Sequence, residues 1–374
     1  MSPPNATPNH AAPRLVDLVD TAQVIVCCGS GGVGKTTTAA VLGLAAARRG
    51  RRAVVVTIDP ARRLADALGL AGIGAEAARI EGDWPGELSA LMLDAKSTFD
   101  ALVERHASGS DQVRVILDNP FYRNISGTLS GTQEYMASEK LFELHEDPAY
   151  DVVIVDTPPT RNALDFIEAP ERLSKFLNHR LYRTVTAPSR GMLRAVNAAA
   201  GTVLRSIGRV VGSEVIGDAI AFFQAFEGME EGFRSRATAV TELFADELTA
   251  FVLVTAPRAD SVAEARFFAR RLAEDTIAVR ALIVNRMHPP FGDADPEPDE
   301  DAIARLADTD GGAALADYHR ARADLRRLAA EERASVADLA AQVATAALVY
   351  VPSLATDVHD LAGLDRVGDA LLEG

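Results

Sequence analysis

Eight residues constrain this chain more than any others: Gly29-Ser30-Gly31-Gly32-Val33-Gly34-Lys35-Thr36. They follow a short apolar run, Val24 to Cys28, and open an Ala-rich stretch of helical character that reaches about Arg49. Glycines let backbone N–H groups turn inward around an anion, and the start of the helix adds the positive end of its dipole. Gly, four residues, then Gly-Lys-Thr between a strand and a helix is the P-loop pattern. The pattern assigns Lys35 to the β- and γ-phosphates, the Thr36 hydroxyl to Mg²⁺ and Thr37 to the α-phosphate. ATP and Mg²⁺ are therefore the expected cofactors. A Gly-rich turn without a ligand is the alternative, and the flanking strand and helix speak against it.

A nucleotide loop of this kind needs a parallel sheet behind it, and the apolar pattern supplies one. Runs at Val24–Cys28, Ala53–Ile58, Leu88–Leu93, Asp151–Val155, Phe251–Thr255, Ala281–Val284 and Ala347–Val351 read as seven strands. Most are nearly unbroken Val, Ile and Leu, as in strands buried on both faces. Helical patterns lie between them, which predicts an α/β fold with a doubly wound, mostly parallel sheet and a P-loop core. One connection is too long for a simple crossover and carries only helical patterns, so an all-helical insertion is expected over about residues 165–248. Val215, Ile216, Ile220, Phe222, Phe223, Phe226, Met229 and Phe233 crowd together there. Such residues can pack the helices against each other, or can line a groove for an apolar partner helix. Residues 1–13 read as a disordered N-terminus ahead of one ATPase domain, 14–374, and the Pro- and acid-rich stretch 289–301 reads as a solvated loop.

Two aspartates stand at predicted strand ends. Asp156 closes the run Val152–Val155 and leads into Thr157-Pro158-Pro159; beside a P-loop such a residue holds Mg²⁺ through water. Taken alone it would be a turn former. Asp59, in Thr57-Ile58-Asp59-Pro60-Ala61, sits at the edge where ligands bind in such sheets. It is expected near the metal with Thr36 and Asp156, and as the residue that orients or deprotonates the attacking water. An N-cap role for the helix after Pro60 is the other reading.

Composition excludes more than it assigns. A formal net charge of −15 on 374 residues offers no general attraction for nucleic acid or anionic lipid. No run of eighteen apolar residues is present, so no direct membrane insertion is expected. The first residues lack the apolar stretch and basic flank of a signal peptide. The two cysteines, Cys27 and Cys28, are adjacent in a strand and point to opposite faces, as buried thiols of a reduced, cytoplasmic protein would.

Four blocks together resemble the ArsA/GET family of ATPases, which includes arsenite-pump ATPases and the eukaryotic ATPase that delivers tail-anchored membrane proteins. They are GSGGVGKTT at 29–37, TIDPARRLADALG at 57–69, VDTPPTRNAL at 155–164, and VNR at 284–286 after a strand ending in Ala256-Pro257. The high Ala and Arg content suits a bacterial member. The resemblance implies a nucleotide-sandwich dimer, Asp59 as the residue activating water, and Asn285 as the reader of adenine, with Pro257 and Pro352 at the base pocket. An Asn amide suits that task because it offers a donor and an acceptor to one base edge.

Three departures shape the partner expectations. Ser30 stands where the family carries a lysine that reaches ATP in the partner subunit. Arg258 stands where eukaryotic members have Glu. There is no Cys-x-x-Cys zinc clasp and no cysteine set for arsenite, so neither zinc nor arsenite is expected. The chain is thus expected as an ATP-driven dimeric switch handling a client protein or apolar segment. The alternative is a weakly catalytic or non-catalytic nucleotide scaffold in a heterodimer with a lysine-bearing paralogue. Arg258, Arg62 or Arg63 could replace the missing charge, and the sequence does not choose among them. A partition ATPase and an anion-pump subunit rank below these, for want of a basic surface or of metalloid thiolates.

Overall fold

Continuous apolar runs become central strands because both of their faces must be covered. In the computed structural model, which describes residues 14–59, 63–70, 72–125, 132–179, 213–291, 300–309 and 311–372, they form one eight-stranded sheet. The strands are β1 Val24–Gly29, β2 Arg52–Thr57, β3 Ala78–Ile80, β4 Glu87–Met92, β5 Val152–Asp156, β6 Thr249–Thr255, β7 Val279–Met287 and β8 Ala347–Pro352. Their order is β3-β4-β2-β5-β1-β6-β7-β8, and every pairing is parallel except β3 with β4. All seven expected strands are present. The eighth, β3, is a three-residue edge strand, too short to show any periodicity in sequence. An ion pair of 3.2 Å between Arg79 and Glu87 lies at that edge.

Alternation along β1 divides the core into two layers. Ile25 and Cys27 face one layer with α1 (Leu15–Thr21), α2 (Lys35–Arg48) and the C-terminal helix (Leu361–Leu372). Val24, Val26 and Cys28 face the other, with Leu141, Phe166, Val240, Phe268 and Leu339. The adjacent cysteines thus point apart, as period-two geometry requires. Burial pushes the Cys28 thiol up to about 12 and that of Cys27 well above its ordinary value. Helix α2 lies close against the sheet because its inner positions are small: Ala39, Ala40, Ala46 and Ala47 are buried, and a Cβ on Gly43 would meet Val55 at 2.5 Å. That close contact holds the start of the helix at the end of β1.

The helical part departs from the expected single insertion. Helices α8 (Thr160–Asn178), α9 (Ser213–Ala225) and α10 (Glu230–Ala245) come from the anticipated region. They share a core with α4 (Ala95–His106), α5 (Ser110–Leu117), α6 (Pro120–Ile125) and α7 (Thr132–Glu146), which lie between β4 and β5. Asp94 caps α4, accepting from the backbone N–H of Lys96 at 2.9 Å and of Ser97 at 3.2 Å. The helical stretch from Ser213 to Ala245 breaks between α9 and α10, where Gly228 has φ +87°. Phe222, Phe226, Met229 and Phe233 are buried, and Phe222 stacks on Tyr122 with centroids 5.9 Å apart. Packing of helix on helix therefore accounts for these four residues. The side chains of Val215 and Ile216, and residues 180–212, lie outside what is described, as do the N-terminal residues 1–13.

The acid-rich stretch also differs at its end. Residues 292–299 are not described, but Glu300 and Asp301 open a helix, Glu300–Ala307, where acidic side chains favour the N-terminal dipole. A longer helix, Gly312–Gln342, packs along it and leads into β8.

Candidate nucleotide-binding site

The loop between β1 and α2 owes its shape to glycine. Gly29, Gly32 and Gly34 have φ of +153°, +78° and +101°, values that side-chain-bearing residues rarely adopt. A Cβ on Gly29 would stand 2.1 Å from the Val254 carbonyl oxygen, so this position tolerates glycine alone. The loop lies at the C-terminal ends of the strands, beside β5, and Lys35 and Thr36 begin the helix behind it.

Register brings the polar residues together. Thr57 of β2 and Cys27 of β1 are the paired neighbours of Asp156 across the sheet. The Thr36 hydroxyl donates to Asp156 Oδ2 at 2.8 Å and the Thr57 hydroxyl donates to the same oxygen at 3.0 Å. Asp156 Oδ1 is buried and has no partner. Burial raises the Asp156 carboxyl to about 6, against the pull of those two hydroxyls and of Lys35. Lys35 is itself buried, which lowers its pKa; its Nζ donates to the Ser30 carbonyl at 2.9 Å. A carboxylate oxygen without a partner beside a threonine hydroxyl is a hard-oxygen site of the type Mg²⁺ takes, commonly through water. The residues present therefore fit the expected ion.

Asp59 follows β2 on the same edge, and Arg63, the first residue of the short helix α3 (Arg63–Ala67), approaches its Oδ2 at 3.8 Å. Residues 60–62 lie outside what is described, Arg62 among them. Ser30 is only 5% exposed and its hydroxyl has no partner. Arg258 lies beyond β6, ion-paired to Asp260 at 3.1 Å.

A cavity of about 520 Å³ opens beside the loop. Gly32, Gly34, Lys35, Thr36 and Thr37 form one wall, and Asn285 and Pro352 contribute to the other. Among the described residues the cavity gathers these sequence-predicted positions together with Arg63; Gly29, Ser30, Gly31, Val33, Asp59, Asp156 and Pro257 are not on its wall. The Asn285 amide donates to the Val33 carbonyl at 2.8 Å and its oxygen accepts from the Arg286 backbone N–H at 2.9 Å. One amide hydrogen and one lone pair remain for a base edge.

Sequence reasoning missed three contributors. Thr57 was part of a motif but had no role until register paired it with Asp156. Arg286, with its backbone at φ +61°, lines the cavity, as does the segment from Ser353 to His359. Arg286 stands in the 284–286 block without a role of its own there, and its left-handed backbone carries no sequence signal. Among the described residues no helix is long and apolar enough to cross a membrane.

Known proteins resemble this chain in sequence. The profile of the family described as anion-transporting ATPase matches residues 22–297, well over half of the chain. ATPase GET3 of Malassezia globosa is 28% identical over 284 residues, covering 75% of this chain and 78% of that protein. ATPase get3 of Aspergillus terreus is 26% identical over 283 residues, 74% of this chain and 76% of the relative. ATPase GET3 of Podospora anserina is 26% identical over 288 residues, 76% and 79% respectively.

Proposed function

The chain belongs to the anion-transporting ATPase family, the ArsA/GET type of P-loop ATPase, and from that premise we propose that it binds Mg·ATP in this cavity and hydrolyses it. The observation that carries the reading is the buried Asp156 carboxylate, bonded through Oδ2 to Thr36 and Thr57 with Oδ1 left without a partner. Thr36 and Asp156, the latter through water, would hold Mg²⁺, which supplies charge neutralisation at the β- and γ-phosphates. The glycine loop would cradle the phosphates, with Lys35 released from the Ser30 carbonyl to meet them, and Thr37 at the α-phosphate. Asn285 and Pro352 would hold the base. Pro257 has less support, since it lies off the cavity wall. Asp59 would orient the water and accept its proton.

We further propose that the chain works as a dimeric nucleotide switch whose helical lobe handles a client protein or apolar segment. The covalent path supports this: α7 leads into β5, β5 ends at Asp156, and α8 begins at Thr160. A Cβ on Gly31 would meet Pro159 at 3.9 Å, so the phosphate loop also lies against the turn that leads into the lobe. A rearrangement at Asp156 would therefore move the base of α8. The second reading, a weakly catalytic scaffold paired with a lysine-bearing paralogue, draws on Ser30, whose buried hydroxyl supplies no charge to a partner.

Steady-state ATP hydrolysis by the purified chain, beside Asp59→Asn and with nucleotide binding measured in both, tests the choice. Turnover that falls at least about 100-fold in the variant while ATP still binds is the expected result. Tight binding without turnover in either protein would reject the self-sufficient enzyme and favour the scaffold.

A further inference from the structure

Phosphoryl transfer spreads negative charge over the oxygens of the moving group, and enzymes meet that charge with more than one cation. Lys35 supplies the first. Position 30 supplies none, since a serine hydroxyl is there and it is buried. Among the described residues, two further cations line the cavity, Arg63 and Arg286. They belong to different segments. Arg286 follows Asn285 at the end of β7, beside β8 and the segment after Pro352. Arg63 stands with its guanidinium 3.8 Å from Asp59, and its charge is close enough to Lys35 to oppose that ammonium. Arg258, by contrast, is 74% exposed, is paired with Asp260 and is not on the cavity wall.

We propose that Arg63 is the second cation of the phosphate site and acts within its own chain, donating hydrogen bonds to the γ-phosphate oxygens as the transition state forms. The inference rests on the ATPase reading above and adds the residue that completes its charge. In that reaction the oxygen of water bonds to the γ-phosphorus while the bond from that phosphorus to the β–γ bridging oxygen breaks. ADP leaves with the bonding pair, and the water's proton passes to Asp59. Arg63 exchanges no atom; it stabilises charge only. Its place beside Asp59 at i,i+4 keeps the guanidinium next to the residue that handles the water. A guanidinium suits the task because its planar fork meets two phosphate oxygens at once.

The test compares ATP turnover, and binding of ADP with and without aluminium fluoride, in the wild type, Arg63→Ala, Arg63→Lys and Arg258→Ala. Aluminium fluoride with ADP imitates the transition state, so the tightening it gives reads transition-state charge directly. Arg63→Ala is expected to lower turnover by about 100-fold or more and to abolish most of that tightening. Its binding of ADP alone is expected to change by less than about three-fold. Arg63→Lys should retain part of both, and Arg258→Ala should change neither. Arg63 is 65% exposed, so the melting temperature should hold and report that the variants are folded. A second comparison, Asp59→Asn with and without Arg63→Ala, separates direct contact from positioning. Further loss of tightening in the double variant supports the proposal, and no further loss overturns it by making Arg63 a support for Asp59. Turnover within about three-fold of wild type in Arg63→Ala also overturns it, as does equal weakening of ADP and of its aluminium fluoride complex. A wild type that neither turns over ATP nor tightens on ADP with aluminium fluoride would sink the ATPase reading first, before Arg63 is compared at all.

Discussion

The rim that carries the phosphate loop and the helical lobe beside it both bury polar atoms without partners, but in different surroundings. At the rim these are Asp156 Oδ1 and the Ser30 hydroxyl, close to an open cavity. In the lobe they include His106 Nε2, Tyr135 OH and Glu139 Oε2. They lie around the ion pair of Glu139 with Arg236, whose Nε donates at 2.9 Å, next to an aromatic core built on Phe226 and Phe233. An unpaired buried polar atom costs about 1–3 kcal/mol. Next to a cavity, a ligand can remove that cost. Inside a packed lobe only rearrangement or entering water can do so. The rim thus leaves its unpaired atoms where a ligand can reach them, and the lobe carries a penalty that a change of packing would relieve.

Four substitutions probe that contrast. Gly29→Ala should have the largest effect, because its Cβ meets a backbone oxygen at 2.1 Å that has no freedom to give way. A loss of about 4–5 kcal/mol by denaturant titration, together with loss of nucleotide binding, is expected. A folded variant of normal stability would show that the loop is softer than its geometry implies.

Arg236→Ala comes next. It strands Glu139, which is only 2% exposed, and should cost about 3–5 kcal/mol. ADP affinity should stay within about two-fold, since no atom of the cavity wall is touched. Parallel losses of stability and affinity would erase the distinction between the two regions.

The third prediction concerns Asp156 and pH. Its carboxyl is raised from 3.8 to about 6 in the fold, so the folded, metal-free protein holds a proton that the unfolded chain has already lost. The stability this gives is fully present below pH 3.8 and is lost as pH rises through about 6, on the order of 3 kcal/mol in all. Asp156→Asn should flatten that part of the stability profile. Binding of Mg²⁺ with nucleotide requires the ionised form, so affinity should climb to a plateau above about pH 6 and release a proton below it. Calorimetry in buffers of different ionisation enthalpy would count that proton, and a count of zero at pH 5.5 would remove Asp156 from the metal site.

The smallest effect is expected at Gly228, between α9 and α10. Its φ of +87° is strained for alanine, but a Cβ there meets nothing within 4 Å. Gly228→Ala should cost about 1 kcal/mol by thermal melting, and a cost as large as that at Gly29 would mean the lobe is as tightly specified as the loop.

The rim was far more legible in the sequence than the lobe. Gly29 to Thr36 encodes its own backbone, and an Asp after Val152–Val155 marks a strand end whatever the rest of the chain does. The central strands were legible for a related reason, since burial on both faces leaves an unbroken apolar run. The lobe offered Phe222, Phe226 and Phe233 as apolar residues at helical spacing, which says that they are covered but not by what. Their cover includes Leu102, Ile116 and Tyr122, some hundred residues upstream, and no local pattern links the two stretches.

By itself the sequence determined the doubly wound sheet and the glycine loop between β1 and α2, because each follows from a short stretch of backbone and its period of burial. Tertiary structure alone decided that Thr57 shares Asp156 with Thr36, that Asn285 is tied to Val33, and that Arg63 but not Arg258 lines the cavity. Those facts depend on strand register and on which segments meet at one edge of the sheet. Contacts of that kind arise between residues far apart in the chain, where spacing along the sequence carries no information about distance in space.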